Sequence, residues 1–467
     1  METVTIWLGA ASNFLYSTIL IALLSVTGLY FTIRTRGVQL RLLREALRVI
    51  AEPKADHKGV SSFQALMIST ASRVGTGNIA GVATAIASGG PGAIFWMWLM
   101  AIIGGASAFV ESTLAQVYKV KVGDEFRGGP AYYIQYGLGR RWLGVVFALL
   151  LILCFGFGFN GLQSFNAAQA FTFYLGANFE SRHFDLLIGF ILAGMTAFVI
   201  FGGVHRISFI SSVVVPVMAV GYLGLGAWII LRNLTILPQA LAMIFQAAFD
   251  WQAIFSGFAG SCIAYGVKRG LFSNEAGMGS APNAAATANV SHPAKQGLVQ
   301  MMSVFIDTLL ICSTTALILL LSGVPGSEAL SGMPFVQSAV YQQAGYLGIH
   351  FITFSILTFA FSSIIGNYYY AESNLLFIKE SKPLLALFRL SVVLMVFLSA
   401  SASFDFIWNL ADVLMGLMAL VNIVAILWLG RVALAVLADY TRQKDAGLDP
   451  VFRAKDVHLR GRTQQWK

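Results

Sequence analysis

The residues best suited to chemistry lie in the middle of a long apolar stretch, residues 63–84. There Gly75, Thr76, Gly77 and Asn78 follow one another, and each glycine costs a helix about 1 kcal/mol relative to alanine. Backbone that is not helical is tolerated in lipid only where it is buried in protein or lines a cavity. An interrupted helix at that depth offers N–H groups to a carboxylate and carbonyl oxygens to a cation. Close helix packing through Gly77-x-x-x-Gly81 is an equally good explanation of this motif alone.

A second apolar stretch, residues 251–267, has a similar interruption. Gly257 and Gly260 flank Phe258, with a hydroxyl residue on either side of the group. The two stretches lie five apolar segments apart, which is the spacing of a five-helix unit repeated in inverted orientation. Packing alone does not predict interruptions at equivalent places in two halves, so the spacing favours a binding site.

Further along the chain, Ser362 and Ser363 are adjacent hydroxyls at the centre of another apolar segment, and Asn367 follows one turn later. Hydroxyl oxygens are hard ligands that suit a small cation. Serine in a span also commonly hydrogen-bonds a carbonyl of its own helix, and taken alone this second interpretation is favoured for the pair.

Asn160, Gln163 and Asn166 are spaced by three residues and so share one helix face, which we expect to point away from lipid. Lining a polar cavity and bonding a neighbouring helix are equally good roles for this face. Ionisable residues also occur within apolar segments, and a structural ion pair is favoured for them over a proton relay. They are Arg73, Glu111, Asp307, Glu372 and Asp412.

The elements that would position these groups are membrane spans. The chain has 467 residues, of which 57% are hydrophobic and only 11% are charged, whereas soluble domains carry roughly a quarter charged residues. Apolar segments long enough to cross a bilayer recur throughout. We predict an all-α membrane protein with eleven spans, near residues 14–33, 63–84, 91–117, 143–172, 185–203, 208–231, 251–267, 297–322, 350–378, 383–402 and 404–430.

The basic residues give the orientation. If the N-terminus lies outside, 27 of the 30 Lys and Arg residues fall in inside segments and two, Arg182 and Arg232, fall outside. This asymmetry predicts a cytoplasmic C-terminus in a cell (inner or plasma) membrane, and attraction to anionic lipid. No feature of the sequence suggests nucleic-acid binding. Residues 441–467 are expected to be a solvated tail, and the small-residue segment 269–288 a cytoplasmic loop that acts as a gate.

Three stretches resemble one known family, the sodium:alanine (alanine or glycine:cation) symporters. They are Gly75–Trp98, Gly128–Gly139 and Arg269–Ala288. The resemblance implies the amino acid–polyamine–organocation superfamily and its core of five plus five helices in inverted repeat. It predicts an extra helix and basic loop at 1–62, repeats at 63–231 and 232–436, and a cytoplasmic tail at 437–467.

The family resemblance also implies a function: symport of sodium with alanine, glycine or similar small amino acids, with sodium as coupling ion and no other cofactor. The implied substrate site is a set drawn from four spans: Gly75, Thr76, Gly77, Asn160, Gln163, Gly257, Phe258, Gly260, Ser363 and Asn367. The implied sodium site uses backbone oxygens at Ala71 and Val74 and the hydroxyls of Ser362 and Ser363.

Two residues depart from the common family pattern. Many members have Ser-Thr where this chain has Ser362-Ser363, and many have Trp where it has Asn367. An amide in place of a wide aromatic side chain would enlarge or polarise a pocket, so serine or glutamine is a possible substrate. Proton coupling through Asp307 or Glu372 is the alternative. An enzyme would need a clustered nucleophile and base or a set of metal ligands, and the sequence offers none.

Overall fold

The computed structural model describes residues 2–52, 60–123, 125–175, 181–250, 261–327, 329–457, 459 and 461–466. These residues are almost all helical, with one antiparallel hairpin of β1 (Val120–Val122) and β2 (Glu125–Arg127). The helices are α1 Glu2–Phe14, α2 Ile21–Arg34, α3 Val38–Arg41, α4 Leu43–Ile50, α5 Ser62–Arg73, α6 Ala80–Gly89, α7 Gly92–Val117, α8 Pro130–Leu138, α9 Arg141–Leu151, α10 Asn160–Gln169, α11 Ser181–Ile200, α12 Gly203–Arg232, α13 Leu237–Ala248, α14 Cys262–Asn274, α15 Pro282–Ala285, α16 Pro293–Phe305, α17 Ser313–Leu321, α18 Gly332–Ile378, α19 Lys382–Ser399 and α20 Phe404–Asp445.

Within the described part of the chain, nine helical segments are long and apolar enough to cross a membrane. Three of them join two α-helices through a π-helical segment, at Leu15–Leu20, Ile152–Phe159 and Ile306–Cys312. Large apolar side chains are exposed on their outer faces, as at Phe190, 66% exposed, and Val217, 70% exposed. Such a surface suits lipid rather than water. The predicted all-α membrane fold is confirmed, whereas the count of eleven spans remains a prediction.

The first interrupted span lies where the sequence predicted it. Helix α5 ends at Arg73, a short 3₁₀ turn covers Thr76–Asn78, and α6 begins at Ala80. At the start of α5, Ser61 and Gln64 form a capping box that satisfies the first free N–H groups. The span is therefore two half-helices joined by irregular backbone.

The prediction for residues 269–288 was wrong, because this segment is part of a second interrupted span and not a surface loop. Gly89, at the end of α6, lies beside Tyr265 in α14, while Ala288 pairs with Val60, just before α5. Residues 262–288 thus run antiparallel to the first interrupted span along its whole length. Antiparallel interrupted spans are what an inverted repeat requires; the proposed repeat boundaries stay predictions.

The second interruption lies between α14 and α15. Glu275, Gly277 and Gly279 all have positive φ angles, of 54°, 80° and 89°, which stop a helix. The segment resembled a loop because it carries charges and many small residues, but its charges are buried in pairs described below. The predicted interruption at Gly257, Phe258 and Gly260 lies outside the described residues.

Two long helices complete the surroundings of the site. Helix α18 is broken at Gly345, with φ 61°, so the predicted span 350–378 begins one turn after this break. Gly366 lets α18 approach α5, since a Cβ there would lie 2.6 Å from the Ser72 nitrogen. Helix α20 continues from Phe404 to Asp445. The expectation of a solvated tail after it was wrong, because residues 449–466 fold back onto the bundle.

Candidate functional site

The first interruption releases two backbone carbonyls from the helical pattern. In a continuous helix the N–H of Gly75 would donate to Ala71, but here it donates to Oδ1 of Asn78 at 3.0 Å. The N–H of Asn78 donates to the Gly75 carbonyl at 3.2 Å instead of that of Val74. The carbonyls of Ala71 and Val74 thereby become acceptors at the end of α5, the negative end of a helix dipole.

Two amide side chains of α10 hold the interrupted backbone in place. Oε1 of Gln163 accepts from the Thr76 N–H at 3.0 Å, and Nδ2 of Asn166 donates to the Thr76 hydroxyl at 2.9 Å. Asn160 does not reach the interruption, because its Nδ2 donates to Gly156 of its own segment at 3.4 Å. Of the predicted amide face, Gln163 and Asn166 thus line the site.

The two serines of α18 have different surroundings. The Ser363 hydroxyl donates to the Val74 carbonyl at 3.4 Å, across to the first interruption. The Ser362 hydroxyl donates to Phe359 of its own helix at 3.0 Å and lies 3.6 Å from the Met218 sulfur. The self-bonded arrangement therefore holds for Ser362, and Ser363 is the hydroxyl that faces the released carbonyls.

The second interruption supplies a buried carboxylate that the sequence analysis did not select. Glu275 accepts from the hydroxyls of Ser72 at 3.1 Å and Ser280 at 2.5 Å, and Nε of Arg73 lies 3.8 Å from its other oxygen. Asn367 joins this group, since its Oδ1 accepts from Ser72 at 2.6 Å. Arg73 thus pairs with Glu275 rather than with Asp307. The signal was present: an acid beside two glycines, inside a stretch without other acids.

A third group forms around Asp307 in the π-helical segment. Its carboxylate accepts from Nδ2 of Asn78 at 2.6 Å, from the hydroxyl of Ser273 and from that of Thr308 at 3.2 Å. Asp307 is 1% exposed, and all three donors are neutral. Asn78 therefore connects the first interruption, through its side chain, to a buried acid on a third span.

An aromatic cluster closes the site on the side of α14. A Cβ added to Gly77 would lie 2.2 Å from the Phe272 ring, so only glycine fits beneath that ring. Phe272 packs against Phe159 and Trp408, with ring centroids 4.6 and 5.4 Å apart. The guanidinium of Arg269 lies 4.3 Å from the centre of the Trp408 ring.

The charges next to this cluster are paired. Arg269 donates to both oxygens of Asp412, at 2.9 and 3.2 Å, and Lys268 lies 3.3 Å from the same carboxylate. Elsewhere Glu372 pairs with Arg389 at 3.2 Å, and Glu111 accepts from Asn422 at 2.8 Å and the Gly277 N–H at 3.2 Å. The favoured reading, structural pairing, describes most of the span acids.

The arrangement can hold an ion and a zwitterion. Two released carbonyls and the Ser363 hydroxyl are hard oxygen ligands, and the N–H groups between Gly75 and the start of α6 lie at a positive helix end. The structure brings together Ala71, Val74, Gly75, Thr76, Gly77, Gln163 and Ser363. Asn367 lies next to them in the Glu275 group.

Comparison with known proteins agrees with this geometry. The model of the sodium:alanine symporter family matches residues 1–454. The chain belongs to this family. It is therefore a multi-pass membrane transporter and not an enzyme.

Two relatives from Bacillus subtilis (strain 168) illustrate the similarity. The chain is 47% identical to the amino-acid carrier protein AlsT, over 98% of this chain and 96% of that protein. It is 49% identical to the probable sodium/glutamine symporter GlnT, over 96% of this chain and 93% of that protein. Family members thus align with nearly the whole chain.

Among solved structures, the fold is similar to that of MhsT in complex with L-phenylalanine. The TM-score is 0.58, with 15% identity, over 82% of this chain and 93% of that one. At this identity the similarity concerns the fold, which is the fold of a membrane transporter. The family and the fold agree with the site built from the two interrupted spans.

The contact of Gly77 with Phe272 gives a testable expectation. Gly77→Ala should reduce transport at least about tenfold, because overpacking of this kind costs about 1–3 kcal/mol and displaces the ring that closes the site. Initial rates of amino-acid uptake into proteoliposomes would measure it.

The matched control is Gly81→Ala in the same span, where an added Cβ would meet Trp408 at an ordinary 3.6 Å. This variant should keep close to full activity. Equal losses in both variants would contradict a specific role for the Gly77–Phe272 contact.

Proposed function

We propose that this protein is a sodium-coupled symporter of small neutral amino acids, such as alanine, glycine, serine or glutamine, that works by alternating access. The observation that carries the proposal is the pair of carbonyls released at Ala71 and Val74, which face the Ser363 hydroxyl across α5 and α18. Membership of the symporter family and the relatives named as amino-acid carriers support it.

Sodium fits the oxygens at this junction. The ion would bind the carbonyls of Ala71 and Val74 and the hydroxyl of Ser363, and Ser362 would join after turning away from the Phe359 carbonyl. Each ligand except the hydroxyls comes from the end of α5, so binding would order the interrupted backbone against α18. In this way ion binding prepares the substrate site.

The amino acid would bind next to the ion. Its carboxylate would meet the N–H groups around Gly75–Gly77, replacing Gln163 as the acceptor for Thr76. Its ammonium group requires acceptors, which Ser363 and the backbone of the second interruption offer. Phe272 lies over this position and limits the length of the side chain, while the polar Asn367 nearby would favour a substrate with a hydroxyl or an amide. The relative named as a sodium/glutamine symporter supports this range.

Transport would follow from the antiparallel pair of interrupted spans. With ion and substrate bound, their half-helices would rock against the surrounding helices and expose the site to the opposite side. The excess of Lys and Arg in the predicted inside segments supports a location in the cell membrane with the C-terminus in the cytoplasm. The sodium gradient would then drive accumulation in the cell.

Uptake into proteoliposomes tests the proposal. Labelled alanine should accumulate with an inward sodium gradient and not with an equal potassium gradient, and unlabelled serine and glutamine should compete. Liposomes without protein give the background. Equal uptake under both gradients by folded protein would contradict sodium coupling.

The two serines provide a sharper test of the ion site. Ser363→Ala should raise the sodium concentration for half-maximal uptake about threefold to tenfold, because one ligand of about 1 kcal/mol is lost. Ser362→Ala is the matched control and should have a smaller effect, since its hydroxyl bonds its own helix. A larger effect for Ser362→Ala would reverse the assignment.

Proton coupling is the second candidate, and Asp307 is the observation that favours it. Its buried carboxylate has only neutral hydrogen-bond donors, whereas Glu372 is paired with Arg389. A carboxylate without a cation in direct contact is the better proton carrier. Proton coupling would therefore use Asp307 rather than Glu372.

Asp307→Asn separates the two candidates. If protons drive transport, this variant should lose accumulation under a pH gradient, and the protonophore that abolishes uptake by the parent protein should no longer matter. If sodium alone drives transport, the variant should still respond to the sodium gradient, and the protonophore should leave uptake by the parent unchanged.

A further inference from the structure

The segment after α20, residues 446–466, folds back across one end of the bundle. At its start Asp449 lies 3.1 Å from Nζ of Lys295, which also binds Glu52 at 2.5 Å. Lys295 is 1% exposed, so this contact is an anchor within the protein. The segment is therefore attached at its first residues to the beginning of α16.

Backbone hydrogen bonds continue the attachment. The N–H of Phe452 donates to the Ser291 carbonyl at 2.9 Å, and the Ser291 hydroxyl donates to the Pro450 carbonyl at 2.9 Å. The Phe452 ring packs edge-on against His292, with centroids 5.2 Å apart. Both sides of this contact use fixed backbone, which a solvated tail does not need.

Trp466 makes the most central contact. Its Nε1 donates to the Gln116 carbonyl at 2.8 Å, and its ring packs against a small apolar cluster of Ala65, Ala288 and Val290. Ala65 belongs to α5, whereas Ala288 and Val290 follow α15. One indole ring thus contacts the corresponding ends of both interrupted spans and the end of α7.

These span ends are also bonded directly to each other. The N–H of Asn289 donates to the Val60 carbonyl at 2.9 Å, and Nε2 of Gln296 donates to the Ser62 hydroxyl at 3.0 Å. Above them, the polar side chains between this end and the site are buried; Asn374 is 1% exposed and Asn283 is 1% exposed. This end of the path is closed, and Trp466 covers the closure.

We propose that residues 446–466 form a strap that holds this end of the transport path closed and that Trp466 must leave its position between the two interrupted spans before the path opens there. Separation of Val60 from Ala288 widens the cluster beneath the indole ring. The strap therefore adds its contacts to the stability of the closed state, and it sets the balance between the closed and open states.

The test measures access to the path and needs neither substrate nor ion, so its result is independent of the proposed function. Ser280→Cys places a thiol at a position with 0% exposure inside the second interruption. Its reaction rate with a water-soluble maleimide is measured in detergent, with the parent chain giving the background of the three native cysteines. Trp466→Ala should speed labelling about twofold to tenfold, the effect expected for loss of one aromatic contact and one hydrogen bond.

Gln464→Ala, two residues away on an exposed side chain, is the matched control and should leave the rate unchanged. Asp449→Asn weakens the other anchor and should speed labelling in the same direction, and it answers the question if Trp466→Ala fails to fold. Unchanged labelling in the folded anchor variants, or equal acceleration by Gln464→Ala, would overturn the proposal.

Discussion

The requirement that every backbone polar group within lipid finds a partner governs this structure. Two spans break their helices, and each break exposes N–H and carbonyl groups where no water is at hand. At the first, Gln163 and Asn78 supply the acceptors that the helix no longer gives. At the second, Asn422 and Glu111 bond the backbone of Gly277. The site is the part of this compensation that an ion and a substrate complete.

Charge follows the same rule. An isolated charge is costly inside a bilayer, and the bundle pairs Arg269 with Asp412 and Arg389 with Glu372. Arg73 and Glu275 are further apart, at 3.8 Å, and both belong to the interrupted spans. Their attraction therefore joins the two half-helices that the transport cycle has to move, and it is strengthened by the low polarity around it.

The arrangement of the two interrupted spans also explains why one end of the bundle is so heavily bonded. Antiparallel spans bring Val60 and Ala288 together, and the segment 446–466 covers the junction. The opposite ends meet where Gly89 lies beside Tyr265. A transporter that alternates between two openings needs closures of comparable stability at both ends, because a single dominant closure would hold it in one state.

Local composition was enough to predict the membrane class, most span positions and the interruption at Gly75–Asn78, because hydrophobicity and glycine placement act within one segment. The same reasoning failed at residues 269–288. Arg269 and Glu275 read as loop residues when taken alone, and only their partners make burial affordable. Those partners are far away in sequence: Asp412 is 143 residues from Arg269, and Ser72 is 203 residues from Glu275.

The sequence by itself thus determined what each segment is made of: spans, breaks, and oxygen-bearing side chains at the right depth. The tertiary structure decided which of them meet. It selected Ser363 over Ser362 and Gln163 over Asn160, and it brought Glu275 into the site and laid residues 449–466 against the bundle. The physical reason is that a hydrogen bond or ion pair depends on distance in space and on burial, and neither is set by one segment alone.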